Sequence, residues 1–139
     1  CVRAIELGAK AVWTCELDPE MHDKAYCHLS EALRGESLFV IDCCESVKSL
    51  QSSGFAAVQY NYVVVYLDAH TEKHSPVLDE LGMICQWTIP PDVILIDDLS
   101  CMEGWGVNEA DLITKLAAMG YKHSYENGVS PYDILVGQR

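Results

Sequence analysis

The residues of this chain best suited to chemistry stand where two apolar runs stop abruptly at acids: Leu67-Asp68-Ala69-His70 and Ile96-Asp97-Asp98. Carboxylates gathered on one rim can orient a hydroxyl, or hold a hard divalent cation such as magnesium or calcium through oxygen ligands. A histidine, a side chain that ordinarily titrates near neutrality, can take the hydroxyl's proton. Asp68 and His70 are therefore the candidate catalytic pair. Asp68, Asp97 and Asp98 are the candidate metal ligands.

For these groups to meet, the two runs must be neighbouring strands. Tyr62–Leu67 (YVVVYL) and Val93–Ile96 (VILI) are continuous apolar runs, the pattern of parallel strands buried on both faces. Between them Ser75-Pro76 opens a helical stretch with apolar positions at Val77, Leu78, Leu81 and Ile84. A strand–helix–strand unit crosses over right-handed, so both strands point the same way. Their acids then emerge together at the carboxyl edge of the sheet, where open α/β folds bind ligands.

The rest of the chain repeats this alternation. Residues 1–7, with Val2 and Ile5 three apart and Gly8 as a C-cap, read as the tail of a helix. Ala11–Leu17 (AVWTCEL) reads as a strand ending at Glu16, and Asp18-Pro19-Glu20 as a helix start with a capping acid. That helix carries Met21, Ala25, Leu29 and Leu33 and stops at Gly35. Leu38–Ile41 is a further strand, followed by Asp42-Cys43-Cys44-Glu45-Ser46 and a short helix with Val47 and Leu50 that Gly54 ends. After Asp98, a loop with Gly104, Trp105 and Gly106 leads to Asn108, an N-cap for a helix carrying Leu112, Ile113, Leu116 and Met119. The chain closes on Tyr121–Tyr125 and Tyr132–Val136, an antiparallel hairpin joined through Asn127-Gly128. The expectation is one α/β domain over residues 1–139, a three-layer sandwich around a mostly parallel sheet with a C-terminal antiparallel hairpin.

The totals exclude several classes. A formal net charge of −12 speaks against unassisted binding to nucleic acid or to an anionic membrane. No apolar run approaches the ~20 residues of a membrane helix. The seven cysteines are odd in number and contain no C-x-x-C, which speaks against a structural zinc site and for reduced, core-filling thiols in a cytoplasmic protein. His70 and His74 are four apart, but Ser75-Pro76 places them in a loop rather than on one helix face.

An alternating α/β chain that closes with a β-hairpin resembles the class I S-adenosylmethionine-dependent methyltransferases, a Rossmann-like family whose last strand is antiparallel. Val12-Trp13-Thr14-Cys15-Glu16-Leu17-Asp18-Pro19 is similar to the family's second motif, which implies that Glu16 grips the cofactor's ribose hydroxyls. Cys44-Glu45-Ser46 followed by Leu50 resembles its G-D-S segment, which implies that Glu45 and Ser46 line the adenine pocket. Leu67-Asp68-Ala69-His70, Pro76-x-Leu78-x-Glu80-Leu81 and Ile94-Leu95-Ile96-Asp97-Asp98 resemble the subset with a D-A-H motif and a paired-acid motif. The resemblance implies S-adenosylmethionine as cofactor, with Asp68 facing both it and the acceptor. It also implies transfer to an oxygen of a small molecule or sugar, with or without a divalent cation.

The family's first strand and Gly-rich loop should precede the opening helix. In dinucleotide folds the ribose acid lies about 20 residues beyond that loop. No G-x-G-x-x-G occurs in the chain, so the expectation is a sequence incomplete at its N-terminus, able to associate with a second copy through the vacant strand position. Two other readings stay open at this point. The acid after the second strand also serves NAD, which admits a nicotinamide-dependent oxidoreductase, although no Tyr-x-x-x-Lys is present. The absent glycine loop admits a non-catalytic remnant that acts as an interaction domain.

Overall fold

The structure, a computed structural model, describes residues 11–32, 38–42, 44–57, 60–71 and 73–139. The helix expected over residues 1–7 lies outside them. The chain divides into two compact units, Cys1–Ser49 and Leu50–Arg139.

In the first unit, β1 (Ala11–Cys15) and β2 (Leu38–Asp42) pair in parallel, from Ala11 opposite Leu38 to Cys15 opposite Asp42. They are joined through α1 (Pro19–Ala32). As the sequence predicts, Asp18 caps α1: its Oδ1 accepts the N–H groups of Glu20 at 2.8 Å and Met21 at 3.3 Å, satisfying donors that a helix start leaves unpaired. Helix α2 (Ser46–Ala57) begins in this unit and continues into the next. It runs through Gly54 rather than ending there, since one glycine inside a helix costs only about 1 kcal/mol.

The second unit is built on a four-stranded sheet of β3 (Val64–Leu67), β4 (Val93–Ile96), β5 (Lys122–Glu126) and β6 (Ile134–Gln138), in the order β3-β4-β6-β5. β3 and β4 are parallel, as the crossover demands, while β4–β6 and β6–β5 are antiparallel. The expected mostly parallel sheet is thus corrected to a mixed one here. The closing hairpin sets its second strand directly against β4.

A second correction concerns β3. Val65 and Leu67 are buried, but Val64 and Tyr66 are 50% and 52% exposed, so only one face is covered. Among the described residues β4 is its sole ladder partner, so β3 is an edge strand of this sheet. The strand starts at Val64 rather than Tyr62 because Asp92 intervenes: its carboxylate accepts the Val63 N–H at 2.7 Å.

The core lies where α3 (Val77–Ile84) and α5 (Glu109–Ala118) meet the sheet. Leu81, Ile84, Ile94, Ile96, Leu112, Leu116 and Leu135 are fully buried, each contributing roughly 1.5–3 kcal/mol of apolar transfer. Leu78, expected on the core face, is exposed instead. Asn108 caps α5 by accepting the Ala110 N–H at 2.9 Å, and Gly120 follows the helix with φ +87°, a conformation open to glycine at no steric cost. Cys27, Cys85 and Cys101 are exposed, which corrects their expected place in the core. No helix of the described residues is long and apolar enough to cross a membrane.

Candidate acid and histidine site

Parallel pairing of β3 with β4 places Leu67 opposite Ile96, so Asp68 and Asp97 leave the sheet side by side. The Asp97 N–H still donates to Leu67 O, at 3.0 Å, and prolongs the ladder by one step. Beyond it Asp98 takes the left-handed conformation, with φ 57° and ψ 39°, and α4 (Leu99–Met102) begins. A single turn of 3-10 helix, Glu103–Trp105, follows.

These turns bring His70 among the acids. Its Nε2 lies 3.3 Å from Asp98 Oδ2 and 3.8 Å from Asp68 Oδ1. The imidazole stacks on Trp105, with ring centroids 4.4 Å apart and planes 16° from parallel. Trp105 therefore serves His70 directly. Asp97 has other partners: its Oδ1 accepts the Asp98 N–H at 2.8 Å and its Oδ2 accepts the Tyr66 hydroxyl.

Crowding of carboxylates sets the electrostatics. Burial, then the charges of Asp97 and Asp98, raise the Asp68 pKa above its usual value, while His70 opposes the rise. Burial, followed by the hydrogen bond to Asp97, also holds the Tyr66 hydroxyl protonated well beyond its ordinary range.

Beneath the rim lies a small pocket, about 180 Å³ including its mouth, whose lining includes Asp68, His70, Asp97 and Trp105 above Val77, Glu80 and Met102. The Ser75 hydroxyl donates to Ala69 O and accepts the Val77 N–H, each at 3.4 Å, tying the loop after β3 to the start of α3. His74 is exposed, and its backbone bridges to Thr71.

The metal ligands expected from the sequence are divided by the structure. Asp68, His70 and Asp98 form one group whose ligand atoms lie within 4.8 Å of one another; Asp97, Asp98 and Asp133 form the other. Oxygen donors with at most one imidazole suit magnesium, manganese or a similar divalent ion. Asp133 went unrecognised in the sequence, where it is one polar residue inside a β-rich run. It is 3% exposed; its Oδ1 accepts the Ser100 N–H at 2.8 Å and its carbonyl accepts that of Leu99 at 3.0 Å. Hydrogen bonds from Ser100 hold its carboxyl below the usual carboxylate range.

The residues expected to hold the cofactor's adenosine lie in the first unit. Glu16 follows β1, and Glu45 and Ser46 follow β2, so the parallel pairing sets them at one edge of the pair. Glu16 Oε1 accepts the Asp18 N–H at 3.0 Å. Glu45 is exposed beside Lys48, and Ser46 opens α2. Compared with known proteins, the chain matches no protein-family model, no curated protein and no solved structure.

Proposed function

We propose that this chain transfers a methyl group from S-adenosylmethionine to a hydroxyl of a small molecule or sugar. The observation that carries the reading is the convergence of Asp68, His70 and Asp98 at the ends of two adjacent parallel strands, where Asp68 and His70 line the pocket. The fold supports it. In a doubly wound sheet of order 3-2-1-4-5, the second strand pairs with the third and the fourth with the fifth. β1–β2 and β3–β4 supply two such parallel pairs, and the antiparallel β6 agrees with the reversed last strand of the methyltransferases it resembles. The architecture this implies is a Rossmann-like three-layer sandwich.

Asp68 accepts a hydrogen bond from a neighbouring hydroxyl of the acceptor and so fixes the direction of the reacting one. His70 presents Nε2 to Asp98 and Asp68, so its neutral form carries the proton there and offers Nδ1 as the base. His70 takes the acceptor hydroxyl's proton at Nδ1 as that oxygen gains the methyl group, and the two carboxylates stabilise the imidazolium. Trp105 holds the ring plane through this step. Glu16, Glu45 and Ser46 would hold the cofactor, which supplies a methyl group from its sulfonium and is left as the neutral thioether. Alternatively Asp68 and Asp98, with His70 Nε2 unprotonated, would hold a divalent cation, which when bound lowers the pKa of a coordinated hydroxyl. Most of the acceleration comes from alignment, with the base adding about 10²–10⁴-fold.

The test is transfer of labelled methyl to a panel of catechols, phenols and sugars. His70→Gln and Asp68→Asn are each expected to lower turnover by about 10²-fold or more, with His74→Gln unchanged. Wild-type turnover in both site variants refutes the assignment.

A further inference from the structure

We propose that Asp133 is a positioning residue: it caps α4 in place of Asp98 and so releases the Asp98 carboxylate to face His70. The inference rests on the acid and histidine site described above. Asp98 occupies the N-cap position of α4, where an aspartate ordinarily accepts a backbone N–H of the first turn. Its side chain makes no such bond. The Ser100 N–H is taken by Asp133 Oδ1 at 2.8 Å and the Leu99 N–H by the Asp133 carbonyl at 3.0 Å. Both contacts come from the closing hairpin, remote in sequence.

Backbone conformation points to the same clamp. Among the described residues, Asp98 (φ 57°) and Tyr132 (φ 58°) are the non-glycine residues with positive φ. Each immediately precedes a partner in the clamp: Asp98 stands before Leu99, and Tyr132 before Asp133. Such conformations persist when surrounding contacts over-determine them. Tyr132 is held by its N–H donating to Asn127 Oδ1 at 3.1 Å. The hairpin loop also approaches the acids closely: a Cβ at Gly128 would lie 3.2 Å from Asp97 Oδ1 and 3.3 Å from Asp133 Cβ. Without the Asp133 side-chain oxygen, Asp98 turns back to cap its own helix and leaves His70.

A readout that ordinary structural loss does not move is the tautomer of the His70 ring, read by long-range ¹H–¹⁵N correlation on labelled protein at a pH where the ring is neutral. The wild type is expected to favour Nε2–H at least about fivefold more strongly than a free histidine side chain does, because that proton faces a carboxylate. Asp98→Ala removes most of that excess preference, since Asp68 stays at 3.8 Å. Asp133→Ala removes it to the same extent, while Asp133→Asn, which keeps an oxygen for Ser100, retains it. Asp133→Glu, which keeps the charge but moves the oxygens a methylene further, is the second disrupting variant and is also expected to lose it. A folded Asp133→Ala or Asp133→Glu that keeps the wild-type preference, when Asp98→Ala has lost it, overturns the positioning role alone. Retention in Asp98→Ala overturns the underlying reading of the site, and the positioning role with it.

Discussion

Replacing Asp133 by alanine has a cost that can be worked from its contacts. The side chain is 3% exposed and its Oδ1 accepts the Ser100 N–H at 2.8 Å. A hydrogen bond to a charged acceptor contributes about 1.5–3 kcal/mol, and an N-cap about 0.5–2 kcal/mol. Both figures describe this one interaction, so the loss is about 2 kcal/mol. The Leu99 bond goes to the Asp133 carbonyl and survives the change. With a urea dependence of about 2 kcal/mol per molar, the unfolding midpoint falls by about 1 M at pH 7. The pH dependence has a definite sign. The carboxyl's folded pKa lies below its ordinary value, so its stabilisation is full above the unfolded pKa of about 3.9. It is lost as pH falls through the folded value. Urea unfolding followed by circular dichroism at pH 7, 5 and 3 should therefore show equal gaps at pH 7 and 5 and a smaller one at pH 3. A midpoint shift under about 0.3 M at pH 7, set against that urea dependence, would refute the reasoning, as would a gap unchanged at pH 3.

Asp68 carries the opposite sign: its folded pKa is raised by burial and by Asp97 and Asp98. Its charge therefore costs stability that is absent below the unfolded pKa and grows as pH rises through the folded one. Asp68→Asn should unfold at higher urea than the wild type at pH 7 and at the same urea at pH 3. Trp105→Ala removes the stack on His70, and a double-mutant cycle with His70→Ala should give a coupling of about 0.5–1.5 kcal/mol in unfolding free energy. Gly137→Ala places a Cβ 3.0 Å from Leu116 Cδ2 and 3.5 Å from Tyr121 Cβ. It should cost about 1–2 kcal/mol, seen as a lower Tm; an unchanged Tm means that Leu116 yields without strain.

Much of the scaffold was legible because it follows local rules. Val93–Ile96 is bounded by Pro91-Asp92 and Asp97, and the strand occupies those four residues. Asp18 and Asn108 announce their helices and cap them as expected. Polar relationships across long separations were less legible. Asp97 and Asp98 are adjacent in the chain, yet with the left-handed turn at Asp98 the first accepts the Tyr66 hydroxyl and the second pairs with His70. The stack of Trp105 on His70 depends on the short α4 and the 3-10 turn after it, which no apolar periodicity marks. Asp133 becomes visible only when β6 docks on β4 and brings it to the first turn of α4. Gly54 shows the reverse error: a residue that often ends helices sits inside one.

The most direct test of the central claim is calorimetric titration of the protein with S-adenosylhomocysteine, wild type against Glu16→Ala. The account predicts one site per chain in the wild type. It also predicts affinity at least about tenfold weaker in the variant, the loss expected when a carboxylate that holds a ribose hydroxyl is removed. No binding by the wild type, or equal affinity in Glu16→Ala, would contradict it.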